Sequence, residues 1–336
     1  MRAEREWAAY ALRLLDRAGI RSVVLACSGG GDSLALLWLC ARDWRLRQRV
    51  RAVVVVDHGL RLAAVRESAR VVGTAARAGF AGRVCRVVVN RGPGLQSRAR
   101  SARFVALESV ACASEASGVL LGHTRDDLAE TLLDRFLAGR GARALDAMRP
   151  VAGQASGPAR VRPLLKATRA EVRDYLASLG EGYVDDPSNE DDSFQRVRLR
   201  KWLSQLDSAT RTRFLEVAPR LQEEGAAIKA LVAESGRRLS LSDGRAPRLE
   251  EKGEGRASVL ARVSWDSRPL PLLAVVGWVE SVVEHPLAMT QVDEMARVLE
   301  CGRGEVRLAS GFLVRLQGGE WLLMRAPRSM RVSLET

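Results

Sequence analysis

The chain has 336 residues, is 47% hydrophobic and carries a formal charge of +13, which suits two cored domains and excludes wholesale disorder. No apolar run approaches the ~20 residues of a membrane span, and the N-terminal stretch from Met1 to Trp7 contains Glu4 and Glu6, unlike a signal peptide, so the expected compartment is the cytoplasm. Only four of the 53 basic residues are lysines (Lys166, Lys201, Lys229, Lys252). The Arg-over-Lys choice reads as genomic composition bias, but the net charge predicts attraction to polyanions, nucleic acid first and acidic membranes second.

Five scattered cysteines (27, 40, 85, 112, 301) form no Cys-x-x-Cys pair, and three histidines complete the soft-ligand inventory. This argues against a structural zinc site and for buried thiols.

Helical spacing over residues 5–18 ends at Gly19. The stretch from Val23 to Trp38 then passes from a β-rich apolar run, through Gly29, Gly30 and Gly31, into an apolar helical run reaching about Asp43. Such a strand–loop–helix lets backbone N–H groups converge on an anion at a helix N-terminus, so it suits phosphate. It is not a Walker A loop, because no lysine precedes Lys166, and it is not a Rossmann fingerprint, because Leu34 stands at the third glycine. A plain Gly/Ser turn is the structural alternative. Ser28 and Ser33 offer hydroxyl donors and Asp32 an oxygen ligand for Mg²⁺.

Ala52 to Val56 reads as a strand buried on both faces and ends in Asp57, His58 and Gly59, a polar loop at a strand's C-terminal end. A helix to about Ala78 and a strand near 84–89 follow. The next helix runs to about Glu115 and carries Arg100 and Arg103 on one face beside Phe104; a solvated basic face and an anion site are both open readings. Val119 to His123 is another β-to-α transition. Repeated alternation implies an α/β fold with a doubly wound parallel sheet.

If a helix starts near Thr124, His123, Asp127 and Glu130 share a face, with Asp126 close by. Acids there could equally serve capping and the helix dipole. Residues 151–158 read as a surface loop and Arg162 to Leu165 as a return to the core. Thr168 caps a helix that stops at Gly180. An acidic turn-rich loop over 181–192 precedes a basic helical segment with Arg196 and Arg200 on one face. A long amphipathic helix or helix pair spans 206–234, and a polar linker 240–258. Short β-like runs at 313–316 and 321–324 and a helix over 290–299 make a small α+β domain. The expected division is 1–205 catalytic, 206–257 helical connector and linker, and 258–336 a small C-terminal domain.

Four blocks in order, Ser28 to Ser33, Val56 to Arg61, Gly122 to Thr131, and Arg162 to Leu165 with Asp186 to Asn189 and the arginines after it, resemble the tRNA(Ile)-lysidine synthetases, PP-loop enzymes of the N-type ATP pyrophosphatase group. Val197 stands where that family usually has Asn, and Gln96 and Ser97 replace its usual acid or Asn. The resemblance implies adenylylation of O2 of the wobble cytidine of a CAU-anticodon tRNA(Ile) by ATP, then attack at C2 by the ε-amine of free L-lysine, releasing AMP and pyrophosphate. It implies Ser28, Gly29, Gly30, Gly31, Asp32, Ser33, His58, Arg100 and Arg103 at ATP, and Asp32 and Glu130 on Mg²⁺. His123, Asp127, Arg196 and Arg200 would meet lysine or tRNA, and Asp32, His123, Asp127 and Glu130 form the catalytic set. The C-terminal segment 258–336 weakly resembles the family's small tRNA-binding domain, and a homodimer is left open. The runner-up is a PP-loop tRNA thiolation enzyme; its iron–sulfur type uses Cys-x-x-Cys pairs that this chain lacks.

Overall fold

The glycine loop and the acidic block are brought together by the order of strands in one sheet. The computed structural model describes residues 2–57, 63–88, 92, 95–140, 142–154, 157–183, 195–242, 259–263, 272–283, 287, 289–308 and 312–325. They form two units, one of Met1–Asp134 with Ala147–Arg220 and one of Arg135–Asp146 with Leu221–Thr336.

In the first unit, β1 (Val23–Ala26), β2 (Val50–Asp57), β3 (Gly82–Arg86), β4 (Gly118–Leu121), β5 (Val151–Gln154) and β6 (Gly157–Val161) line up as β3-β2-β1-β4-β6-β5. All neighbours are parallel except β5, which closes its edge antiparallel to β6. Alternation along β1 sends Val23 and Leu25 into one core and Val24 into another. The first core is covered by α1 (Arg2–Arg17), α2 (Gly31–Arg42), α4 (Ala63–Arg77) and α7 (Arg169–Ser178), through Leu15, Leu36, Ala75 and Leu176. The second is covered by α5 (Leu95–Ala113), through Phe104, Leu107 and Ala111. Helices on both faces of a mostly parallel sheet are the doubly wound fold expected from the alternation. The strand order reverses between β1 and β4, and open α/β sheets take ligands at that point, outside the strands' carboxyl ends.

Several boundaries differ from the sequence reading. The helix after the loop ends where expected, at Arg42 with Asp43 its C-cap, but the sequence reading missed the short α3 (Trp44–Arg49) that follows, started by the Asp43 carboxylate accepting from the N–H groups of Arg45 and Leu46. Residues 151–154 and 157–158, read as a surface loop, are β5 and the start of β6, strands too short and glycine-rich to show a period, while 155–156 lie outside the described residues. Of the cysteines, Cys27 and Cys40 are buried, Cys85 is half-buried, and Cys112 and Cys301 are exposed. The Thr168 cap is present as a reciprocal capping box with Glu171. No helix among the described residues is long and apolar enough to cross a membrane.

After α6 (Arg125–Leu137), α8 (Gln195–Gln205) and α9 (Ser208–Ser242), the second unit contains α10 (Leu272–Val283), α11 (Met289–Cys301) and an antiparallel sheet ordered β7-β10-β9-β8 (Val259–Val263, Glu320–Arg325, Phe312–Gln317, Gly304–Arg307). Trp278, Met295, Trp321 and Leu323 fill its core. Gly318 and Gly319, at φ 60° and 82°, make the two-residue turn joining β9 to β10.

Candidate active site

The loop after β1 is braced from within. Ser33 Oγ accepts from Ser28 N–H (3.1 Å) and donates to the Gly30 carbonyl (2.9 Å), and lies 3.3 Å from Ser28 Oγ. Gly29 has φ +86°, and a Cβ there would stand 2.9 Å from Val71 Cγ2. Gly30 is the N-cap of α2 and gives its first turn no side-chain hydrogen bond, so that turn keeps its N–H groups for a ligand. Tyr183, outside every expected site set, lays its ring 3.4 Å from where a Gly31 Cβ would be.

Across the switch point, Gly122 follows β4. A Cβ on it would meet Asp32 O at 2.9 Å and Ser33 Cα at 3.0 Å, so only glycine lets this strand end abut the loop. His123 and Thr124 lie outside any helix or strand, and α6 begins at Arg125. His123 therefore precedes the helix and does not share its face with Asp127 and Glu130. The cause is Asp127, whose Oδ2 accepts from Thr124 N–H (2.8 Å) and Thr124 Oγ (3.1 Å) and fixes Thr124 as the cap.

The four acids meet around Arg169, the first residue of α7. Its Nη1 donates to Glu130 (3.0 Å) and its Nη2 to Asp127 (3.1 Å); its Nε lies 3.7 Å from Asp32, and its backbone N–H donates to Asp126 (2.7 Å). Glu130, 1% exposed, also takes both Arg200 Nε (2.9 Å) and Nη2 (3.4 Å), and Asp126 takes Arg211 (3.2 Å). Buried carboxylates persist as ions only when paired in this way. The cavity beside Asp126 and Glu130, lined also by Arg169, Arg200 and Arg211, holds about 20 Å³, room for one water and no larger ligand.

The structure thus puts a guanidinium where Asp32 and Glu130 were expected to share a metal ion. Both Glu130 oxygens are occupied, so its donor set does not fit Mg²⁺. Asp32 fits: a hard oxygen donor beside the loop, partly exposed, with no hydrogen bond among the described residues. Burial, then the Asp127 charge, raises its carboxyl to about 6.

Arg100 and Arg103 of α5 lie over the Phe104 ring at 5.1 and 5.3 Å, and Arg160 of β6 at 4.0 Å. Arg162, 5% exposed, stands just beyond β6, its guanidinium pushed down to about 10 by burial and then by Arg100 and Arg160. Arg160 also donates to Glu108 (2.7 Å), so the four arginines and this one carboxylate leave a net positive environment of the kind an anion seeks. Arg200 is engaged by Glu130. His58 and the side chain of Arg196 lie outside the described residues. Arg169, Arg162 and Tyr183 carried no expected role, because their partners are distant in sequence.

A PP-loop domain family matches residues 4–206. The chain is 40% identical to a tRNA(Ile)-lysidine synthase of Bradyrhizobium diazoefficiens over 66% of its length and 63% of the relative's. It is 33% identical to one of Novosphingobium aromaticivorans over 93% of its length and 91% of the relative's. Among the curated relatives matched at 36–43% identity, the chain spans 54–66% of their length. The fold is similar to that of a U34-tRNA thiolase from Methanococcus maripaludis (TM-score 0.54, 17% identity, 65% of this chain and 79% of that one).

Proposed function

The chain belongs to the PP-loop family of tRNA(Ile)-lysidine synthases, and from that premise we propose that it joins free L-lysine to C2 of the wobble cytidine of a CAU-anticodon tRNA(Ile), using ATP and releasing AMP and pyrophosphate. The observation that carries this reading is the meeting, at the strand-order reversal, of an uncapped glycine-loop helix with four carboxylates held by Arg169.

The N–H groups opening α2 and the Ser28 hydroxyl hold the polyphosphate. Asp32 would hold Mg²⁺, which when bound offsets polyphosphate charge that this lysine-free loop cannot. Arg100 or Arg103 stands for the α-phosphate, where negative charge develops as the cytidine oxygen attacks. The amine subsite is assigned to Asp127 and His123. Because Thr124 and Arg169 occupy the Asp127 oxygens, its part is to hold the ammonium by charge and not to take its proton. Glu130 and Arg200 form the buried pair that fixes α6, and Arg196 remains for lysine or RNA. The cytoplasm is the proposed compartment, residues 258–336 the proposed tRNA-binding domain, and a homodimer is left to measurement.

AMP release from ATP by the purified chain, with free lysine and a CAU-anticodon tRNA(Ile) transcript added separately and together, tests the reading. Release that needs both, with lysine joined to the RNA, is expected. Release that needs the tRNA but ignores lysine overturns the amine chemistry and points to another nucleophile, such as sulfur.

A further inference from the structure

Arg162 and His123 are held together by the sheet. In the β4–β6 register Leu120 lies opposite Val161, so the chains leave adjacent strands side by side at Leu121 and Arg162, and His123 follows two residues on. Arg162 is fixed at several points. Its backbone N–H donates to Pro150 O (2.8 Å), its Nη1 to Arg149 O (2.5 Å), and its Nε to His123 Nδ1 (3.2 Å). With 5% of its surface exposed, it has little freedom to move.

The chemistry of that last contact has one direction. A guanidinium N–H can only donate, so the atom facing it must be a lone pair. His123 Nδ1 therefore carries no proton, and the ring's proton is on Nε2. Doubly protonating the ring would require displacing the Arg162 N–H and setting a second cation against the Arg162 guanidinium, whose neighbour Arg160 is already answered by Glu108.

We propose that Arg162 is a positioning residue that holds His123 in its Nε2–H tautomer, so that at the amine subsite His123 offers a hydrogen-bond donor and does not accept the amine's proton. The donor role rests on the ATP-dependent reading above, whereas the tautomer does not.

Nitrogen NMR of the full-length chain with ¹⁵N-labelled histidine tests it directly. Three histidines give three ring systems, and loss of one in His123→Asn assigns His123. The expected wild-type spectrum at neutral pH has a protonated, pyrrole-type Nε2 and an unprotonated Nδ1. A proton on Nδ1, alone or with Nε2, overturns the proposal. In Arg162→Met the ring is expected to shift to a tautomer mixture or to become doubly protonated, with kcat lowered at least about tenfold and KM for ATP little changed. An unchanged His123 spectrum in that variant also overturns it. Should Arg162→Met not fold, the wild-type spectrum alone decides. Absence of lysine-dependent AMP release from the wild type would fault the assigned reaction and leave the tautomer result standing.

Discussion

Asp32 is the one carboxylate of the cluster without a hydrogen bond among the described residues, and the folded state has to tolerate its charge. Its carboxyl is raised to about 6 from an ordinary value of 3.8, first by burial and then by Asp127. A raised acid favours the fold while protonated. Its stability is fully present below pH 4 and is lost as pH climbs through about 6. Asp32→Asn removes that loss at an upper scale of about 2 kcal/mol once partial exposure is discounted. Thermal melts are therefore expected to show the variant more stable than wild type by a few degrees at pH 7.5 and equal to it near pH 4, while lysine-dependent AMP release disappears. A melting temperature lowered at both pH values would refute this account of Asp32. At this scale the sequence disclosed what is contiguous or helically spaced: Ser28 to Ser33 as one loop, and Asp127 with Glu130 one turn apart. It hid Arg169, which lies 137 residues from Asp32 and beside a Thr168 whose capping pattern already accounted for the local chain. Nor could it show that Arg200 satisfies Glu130, since a basic helix face looks the same whether it meets solvent, RNA or a buried acid.

Among the elements, the contact of β4 with α2 sets the geometry of the phosphate loop. Gly122 touches backbone on the other side, and backbone cannot yield as a side-chain tip can. Gly122→Ala is expected to push Asp32 and Ser33 out of register, lowering ATP affinity at least about tenfold and stability by about 1–3 kcal/mol; calorimetric ATP titration and denaturant unfolding measure the two. Unaltered ATP binding would mean that the loop is positioned by β1 alone. The parallel strands were legible because burial on both faces makes continuous apolar runs such as Ala52 to Val56. β5 and β6 were not, because edge pairing of short strands needs a partner and no period. The helix α6 was seen, but with His123 on its face, because spacing gives the angle between residues and not the residue that caps them.

For the whole molecule the dominant quantity is the charge of +13. It predicts that tRNA affinity falls log-linearly with salt, by about a hundredfold or more between 50 and 200 mM for a handful of phosphate contacts, while ATP affinity in the loop changes less. Filter binding across that salt range measures it, and a flat response would remove RNA as the reason for the charge. Charge also bears on how the chain is made. A nascent chain that has left the ribosome only as far as β6 already holds Asp32, Asp126, Asp127 and Glu130, but neither Arg169 nor the later Arg200 and Arg211 that answer them. Its central strands can pair, yet seating the start of α6 would bury carboxylates with no guanidinium opposite. In the first unit, closing that end of the sheet therefore waits for residues 169–211 to be made.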